Sequence, residues 1–256
     1  MSLEIDFKIP ELDAMKNYPR KLYYKGNLDL LKKPKISIVG TRHPNNYCKK
    51  FTFKIAQELA KRDIVVVSGA AIGVDAIAHQ GAKPNNTIAV VANGLDIRYP
   101  AINSKLIKSI EEEGLILSAY KDKEKARNYT FVHRNEIVVS LGDILIVTQA
   151  DEKSGTLTSI DYALKMGKNV YTIPHHLDES LGTQKLLDKN IIKPIYDIDS
   201  FLSQFGNEEK KDDELLNYLQ TNPLYEDALK KLGTQLYELE LEGVFIVENG
   251  YIKTTN

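Results

Sequence analysis

A chain of 256 residues, 43% hydrophobic and with a formal net charge of −1, holds enough apolar material for one large domain, or a medium one plus a small one. The near balance of charge excludes a uniformly basic nucleic-acid coat and an acidic tail protein, and a single cysteine, Cys48, excludes an intrachain disulfide. The start, MSLEIDFKIP, lacks the apolar stretch of a secretory signal and no apolar run is long enough to span a bilayer, so a soluble cytoplasmic protein is the expectation.

Residues 1–34 show little periodicity. KLYYKGNLDLL has a Gly-Asn turn signal between apolar runs, and the segment reads as a small N-terminal extension packed on a sheet built from the later residues. From Lys35 onward, short β-branched runs alternate with helical patterns. ISIV (Ile36–Val39) predicts a strand and Tyr47–Lys61 a helix; IVVV (Ile64–Val67) predicts the next strand, with a helix from about Val74. TIAVVA (Thr87–Ala92), LILS (Leu115–Ser118), ILIVT (Ile144–Thr148) and VYTIP (Val170–Pro174) continue the strands. Helical patterns fall between them at Ile102–Glu113, Val132–Leu141 and Leu157–Met166, and KPIY (Lys193–Tyr196) reads as a last strand.

Continuous apolar strands alternating with helices imply parallel strands buried on both faces and joined by right-handed crossovers. The fold class expected is α/β: a Rossmann-like, doubly wound, mostly parallel sheet over residues 35–204. The polar stretch FGNEEKKDDE marks a linker at 205–214. Residues 215–256 then read as two or three short helices and a hairpin turning at Glu248–Gly250, a winged-helix-like module. Charge divides along the chain. Lys35–Arg134 holds 16 Lys and Arg against 9 Asp and Glu, whereas Asp199–Asn256 holds 5 against 12. Opposite local fields suggest different partners for the two segments.

In a doubly wound sheet the ligand crevice lies beyond the carboxyl ends of the strands. Four such ends carry candidate chemistry: GTRHP (Gly40–Pro44), SGAAIGVD (Ser68–Asp75), NGLDIRYP (Asn93–Pro100) and ADEKSGTLT (Ala150–Thr158). Ser68, Gly69 and Gly73 in one loop, and Ser154, Gly155 and Thr156 in another, set small residues just before a helix. Free backbone N–H groups and the helix dipole favour an anion there, with Arg42 and Lys153 adding charge and the hydroxyls of Ser68, Ser154, Thr156 and Thr158 adding donors. Plain turns and caps remain the alternative. Phe131, Arg134 and Asn135 in FVHRN suit an unstacked base beside a phosphate, or equally an aromatic in the core with an exposed arginine. Asp75 and His79, four apart on one helical face, read as structural support rather than as a metal or acid–base pair, because no third ligand occurs at metal spacing; no metal or cofactor is expected. Lys49, Lys50, Lys54, Lys61 and Arg62 on the first helix read as electrostatic background.

IVGTRHP, VVSGAAIGVDAIAH, TIAVVANGLDIRYPAIN, FVHRN, KSGTLT and VYTIP together resemble the DNA-processing protein A family (DprA, or Smf), in order and spacing, over roughly Tyr18 to Pro194. The resemblance implies a non-enzymatic protein that binds single-stranded DNA during natural transformation, protects it and helps load the RecA recombinase, self-associating as a homodimer through the Rossmann-like domain. It implies a DNA pocket built from Arg42, the Ser68–Gly69 loop, Phe131, Arg134, Asn135 and Lys153–Thr156. The sequence departs from the family pattern where Val132 and Glu136 replace a proline and an arginine, at Ser118–Lys121, at Gln184, and at His175. The alternative reading is an enzyme of the nucleoside monophosphate phosphoribohydrolase type. Its Gly-Gly-x-Gly-Thr loop and following glutamate are absent; KSGTLTSID offers Asp161 instead.

Overall fold

Each apolar run read as a strand between Ile36 and Tyr196 supplies a strand of one nine-stranded sheet. The structure, a computed structural model, describes residues 2–205, 218–241 and 244–254. The sheet contains β1 (Leu3–Glu4), β2 (Tyr23–Gly26), β3 (Lys35–Val39), β4 (Val65–Ser68), β5 (Thr87–Val91), β6 (Leu115–Ser118), β7 (Leu145–Val147), β8 (Val170–Thr172) and β9 (Lys193–Pro194). Its order is β1-β2-β6-β5-β4-β3-β7-β8-β9. Strands β3 to β9 are mutually parallel, and β2 is antiparallel to both its neighbours. The chain winds from β3 out to β6, returns to place β7 beside β3, and winds the other way to β9. The topological switch point therefore lies between β3 and β7.

Both faces of the sheet are covered, as continuous apolar strands require. On β4, Val65 and Val67 face one side and Val66 the other; all three are fully buried. The first side packs against α4 (Asn128–Leu141) and α5 (Thr156–Lys165) through Ile137, Val138, Leu141, Ile160 and Ala163. The second packs against α1 (Asn46–Lys61), α2 (Val74–Ala82) and α7 (Ile198–Leu202) through Ile55, Leu59, Ala78 and Phe201. There α3 (Ser104–Glu113) covers Ala89, Val91 and Ile116. Each large aliphatic buried in this way stabilises the fold by about 1.5–3 kcal/mol relative to exposure.

Three sequence expectations are corrected. Residues 1–34 do not simply pack on the sheet: β1 and β2 extend it at the β6 edge, while the two 3₁₀ turns, Pro10–Ala14 and Leu28–Lys32, together with Ile9, Met15 and Leu22, lie against the α4 side. The pairing covers what would otherwise be a bare strand edge. It depends on Gly26, whose φ is +101° and whose added Cβ would lie 2.1 Å from the Gly114 carbonyl oxygen. Secondly, α4 begins at Asn128, a full turn before Val132. Its first turn is polar, Asn128 to Thr130, so apolar periodicity misses it. Thirdly, α6 (Leu181–Asp188) and α7 are short helices that periodicity did not reveal.

The chain divides into two units, Met1–Glu208 and Glu209–Asn256. The linker assigned to 205–214 lies, after Phe205, outside the described residues. The second unit has helices Tyr225–Leu232 and Thr234–Leu241 and a hairpin of β10 (Phe245–Glu248) and β11 (Tyr251–Thr254). Asn249 and Gly250, both at positive φ, form the turn. Leu219, Ala228, Leu236, Phe245 and Ile252 form its own small core.

Candidate functional site

The loops after β3 and β7 flank the switch point, and α4 closes the space between them. Together they enclose a cleft of about 440 Å³. Arg42 enters it from the β3 loop, Phe131, Arg134 and Asn135 from the second turn of α4, and Lys153, Ser154, Gly155 and Thr156 from the start of α5. Residues from three stretches well separated in the chain thus share one crevice. Arg42 and Lys153 are at its rim, both exposed. Two guanidinium groups lie near the Phe131 ring, the Arg42 carbon 5.6 Å and the Arg134 carbon 5.9 Å from its centroid. Asp151 contributes the one carboxylate at the rim among the described lining residues, and Asp75 lies at the floor.

Arg134 is 5% exposed and its Nη1 donates to Asp75 Oδ2 at 3.3 Å. Burial pushes the guanidinium below its ordinary pKa, and the Asp75 carboxylate opposes that shift. Arg134 Nε is buried without a hydrogen-bond partner among the described residues. The guanidinium runs directly beneath Gly69, where an added Cβ would fall 1.0 Å from Nη1. Asp75 Oδ2 also accepts from the Ala71 N–H at 3.4 Å, so the Arg134–Asp75 pair holds the loop as well as the floor.

His79 is wholly buried behind that loop. Its Nε2 accepts from the Ala70 N–H at 3.3 Å, which places the ring proton on Nδ1, donated to Thr87 Oγ1 at 2.6 Å; Thr87 in turn donates to the Val66 carbonyl at 2.7 Å. Desolvation, reinforced by the Arg134 charge, lowers the His79 pKa to about 3, so the imidazole is neutral at all ordinary pH.

This arrangement alters the reading of SGAAIG. The expected open row of amides is largely engaged internally: Ala70 N–H with His79, Ala71 N–H with Asp75, and Val74 N–H with the Thr41 carbonyl at 3.1 Å. Ser68 is fully buried and its hydroxyl donates to the Ile38 carbonyl at 2.6 Å, so it does not reach the cleft. Gly69 borders only a small recess of about 60 Å³ beside the cleft, and Gly73 faces a shallow outer groove. The loop shapes the site more than it lines it. KSGTLT differs in exposure. Most of its amides are engaged too, Ser154 N–H with the Asp151 carbonyl at 3.0 Å, Thr156 N–H with Ser154 Oγ at 3.2 Å, and Leu157 and Thr158 N–H with the Ser154 and Gly155 carbonyls at 3.1 and 3.2 Å, but Gly155 is exposed, has helical φ, and would have nothing within 4 Å of an added Cβ. A ligand can approach the start of α5 without obstruction.

Tyr99 was not among the sequence candidates. It follows β5 in NGLDIRYP, is 49% exposed, lines the small recess with Asn93, and lies 6.1 Å from Phe131 ring to ring. An aromatic just beyond a strand end was the signal available for it. Glu136, one of the departures, turns away from the cleft: it is buried and accepts from the Lys16 N–H at 3.0 Å. Two other departures meet each other, since Gln184 Nε2 donates to the His175 carbonyl at 2.9 Å and to that of His176 at 3.2 Å. Asp161 is exposed on α5 and outside the cleft lining, which gives the glycosidic-hydrolase alternative no carboxylate in the cleft at that position. Among the described residues no cluster of His, Cys, Asp and Glu could hold a metal, and no helix is long and apolar enough to cross a membrane.

The sequence model of the family described as DNA recombination-mediator protein A matches residues 6–206. The DNA processing protein DprA of Streptococcus pneumoniae is 38% identical over 174 residues, covering 67% of this chain and 61% of that protein. Across the curated relatives the chain spans about half of their length. The solved structure of DNA processing protein A from Helicobacter pylori, described for its single-stranded DNA binding mode, superposes with a TM-score of 0.78 at 40% identity, over 80% of this chain and 95% of that one. That of DprA from Streptococcus pneumoniae gives 0.73 at 34% identity, over 79% and 73%.

Proposed function

Because the chain belongs to the DNA recombination-mediator protein A family, we propose that it binds single-stranded DNA without regard to sequence. Phosphates pair with Arg42 and Lys153 and approach the exposed start of α5 at Gly155. A base stacks against Phe131 and Tyr99, which are partly exposed and adjacent. Arg134, Asp75 and His79 act as positioning residues beneath the surface, with Arg134 Nε as a further donor. Contacts of this kind read charge and ring faces rather than base edges, so they carry little sequence information.

The observation that carries this reading is the convergence of Arg42, Phe131 and Lys153, from three separate loops and helices, on one crevice at the switch point. In the cell the reading extends to natural transformation in the cytoplasm, with protection of incoming strands, loading of the RecA recombinase, and self-association as a homodimer. It includes no covalent chemistry. The acidic second unit is suited to a protein contact or to regulation rather than to holding DNA.

The test is fluorescence anisotropy of a labelled oligothymidylate titrated with protein over a salt series. Arg42→Ala and Lys153→Ala should each weaken binding and lower the slope of log K against log salt by about 0.7, one phosphate on a single strand. Circular dichroism should show both variants folded, because neither side chain is buried. Wild-type affinity and slope in both variants would remove the crevice from consideration.

A further inference from the structure

The lysines of α1 have no part in the crevice, yet they are arranged for use. From Asn46 to Gln57 the helix carries Lys49, Lys50 and Lys54 and no acidic residue. All three are exposed. None forms an ion pair among the described residues, whereas the two basic residues at the far end of the helix, Lys61 and Arg62, both pair with Glu58. A solvated surface helix usually intersperses both signs at i, i+4 spacing, and this stretch does not.

A shallow groove of about 500 Å³ runs between α1 and α2, bounded by Arg42, His43, Lys49, Gly73, Ile77 and Gln80. Arg42 lines both this groove and the crevice, so the two are continuous. One turn beyond Lys49 on the same face lies Phe53, which is 41% exposed. Phe53 flanks the close contact of the two helices at Gly81, where an added Cβ would lie 2.5 Å from the Phe53 carbonyl oxygen. Beside this row stand Lys50 and Lys54. Lys49 borders the groove, and Phe53, Lys50 and Lys54 continue along the exposed face of α1 beside it, with the Lys50 ammonium 5.7 Å from the Phe51 ring centroid. Cations free of ion pairs interleaved with an exposed aromatic are the features that track a single strand: charge for the backbone and a ring for a base.

We propose that the α1–α2 groove is a second contact surface for single-stranded DNA, taking the strand as it leaves the crevice past Arg42 and His43 and guiding it over Lys49, Phe53, Lys50 and Lys54. The inference rests on the single-strand reading of the crevice and adds to it the direction the strand takes. Complementary charge and continuity through Arg42 favour this occupant over a protein partner.

Two labelled oligothymidylates, of about 6 and about 20 nucleotides, separate the surfaces by length. The triple variant Lys49→Ala/Lys50→Ala/Lys54→Ala should bind the short strand like wild type. With the long strand its salt slope should fall by about 2, or 0.7 for each of three phosphates. Phe53→Ala should lower long-strand affinity about tenfold with the slope unchanged. Arg42→Ala should weaken both lengths. A control, Lys105→Ala/Lys108→Ala/Lys123→Ala, removes the same charge from positions outside both lining sets. Wild-type long-strand slope in the α1 variant, or an equal loss in the control, would overturn the groove. Loss in the α1 variant with Lys153→Ala, which touches the crevice alone, unaffected at both lengths would retain the groove and discard the crevice reading instead.

Discussion

Arg134 can pass beneath Gly69 only because that residue has no Cβ, and the Arg134–Asp75 pair it completes is almost wholly buried. An alanine at Gly69 would have to displace the guanidinium and leave Asp75 without its partner. Breaking such a pair while one charge stays buried typically costs about 3 kcal/mol or more. Gly69→Ala should therefore unfold at clearly lower denaturant concentration and lose single-strand affinity together; an unperturbed midpoint would show that the floor does not depend on this contact. His79 makes a separate, pH-dependent contribution. Its folded pKa, about 3, lies below the ordinary 6.5. Between those values the unfolded chain binds a proton that the folded ring refuses, so stability is full above pH 6.5 and declines as pH falls toward 3. The separation corresponds to an effect on the order of a few kcal/mol. Melting temperatures of wild type and His79→Gln should differ most near pH 7 and converge toward pH 4; a constant gap would contradict the neutral, buried imidazole.

At the scale of elements, α2 and α5 begin with similar small-residue loops whose amides are mostly engaged, and they differ in how openly the backbone is exposed. The loop before α2 is tied down by His79, Asp75 and the Thr41 carbonyl, whereas the start of α5 stands open at Gly155. This gives a substitution that separates fold from function. Gly155 has helical φ and empty space around an added Cβ, so Gly155→Ala should leave stability unchanged or raise it by about 0.5–1 kcal/mol. If phosphate approaches the backbone there, the same methyl group should lower single-strand affinity several-fold in the anisotropy titration. Equal affinity would restrict the role of α5 to its lysine. Both loops look alike in sequence because small residues before a helix are the local signal; which amides find partners depends on side chains elsewhere in the chain.

For the whole molecule, charge and topology point the same way. Part of the basic excess of Lys35–Arg134 falls in the crevice, at Arg42 and Arg134, and on α1, at Lys49, Lys50, Lys54 and Lys61, while the acidic excess falls in the C-terminal region. The second unit has its own core of Leu219, Ala228, Leu236, Phe245 and Ile252. A chain ending at Phe205 should therefore keep most of its single-strand affinity, and binding isotherms of the two chains should nearly superimpose. Near-complete loss would move the binding surface to the C-terminal unit.

The sequence by itself determined the class of fold, the strands from Ile36 to Pro194, and the rim where a ligand would lie, because burial on both faces writes continuous apolar runs and the crevice of a doubly wound sheet is set by its winding. It also marked Arg42, Phe131 and Lys153. The tertiary structure decided which groups at that rim remain available. Ser68 bonds to Ile38, Ala70 to His79, and Arg134 to Asp75 across 59 positions of chain. It likewise showed that Tyr99 lies beside Phe131 and that Glu136 points away. Periodicity and turn chemistry are local properties, whereas the hydrogen-bond partner of a buried group is fixed only when distant segments pack.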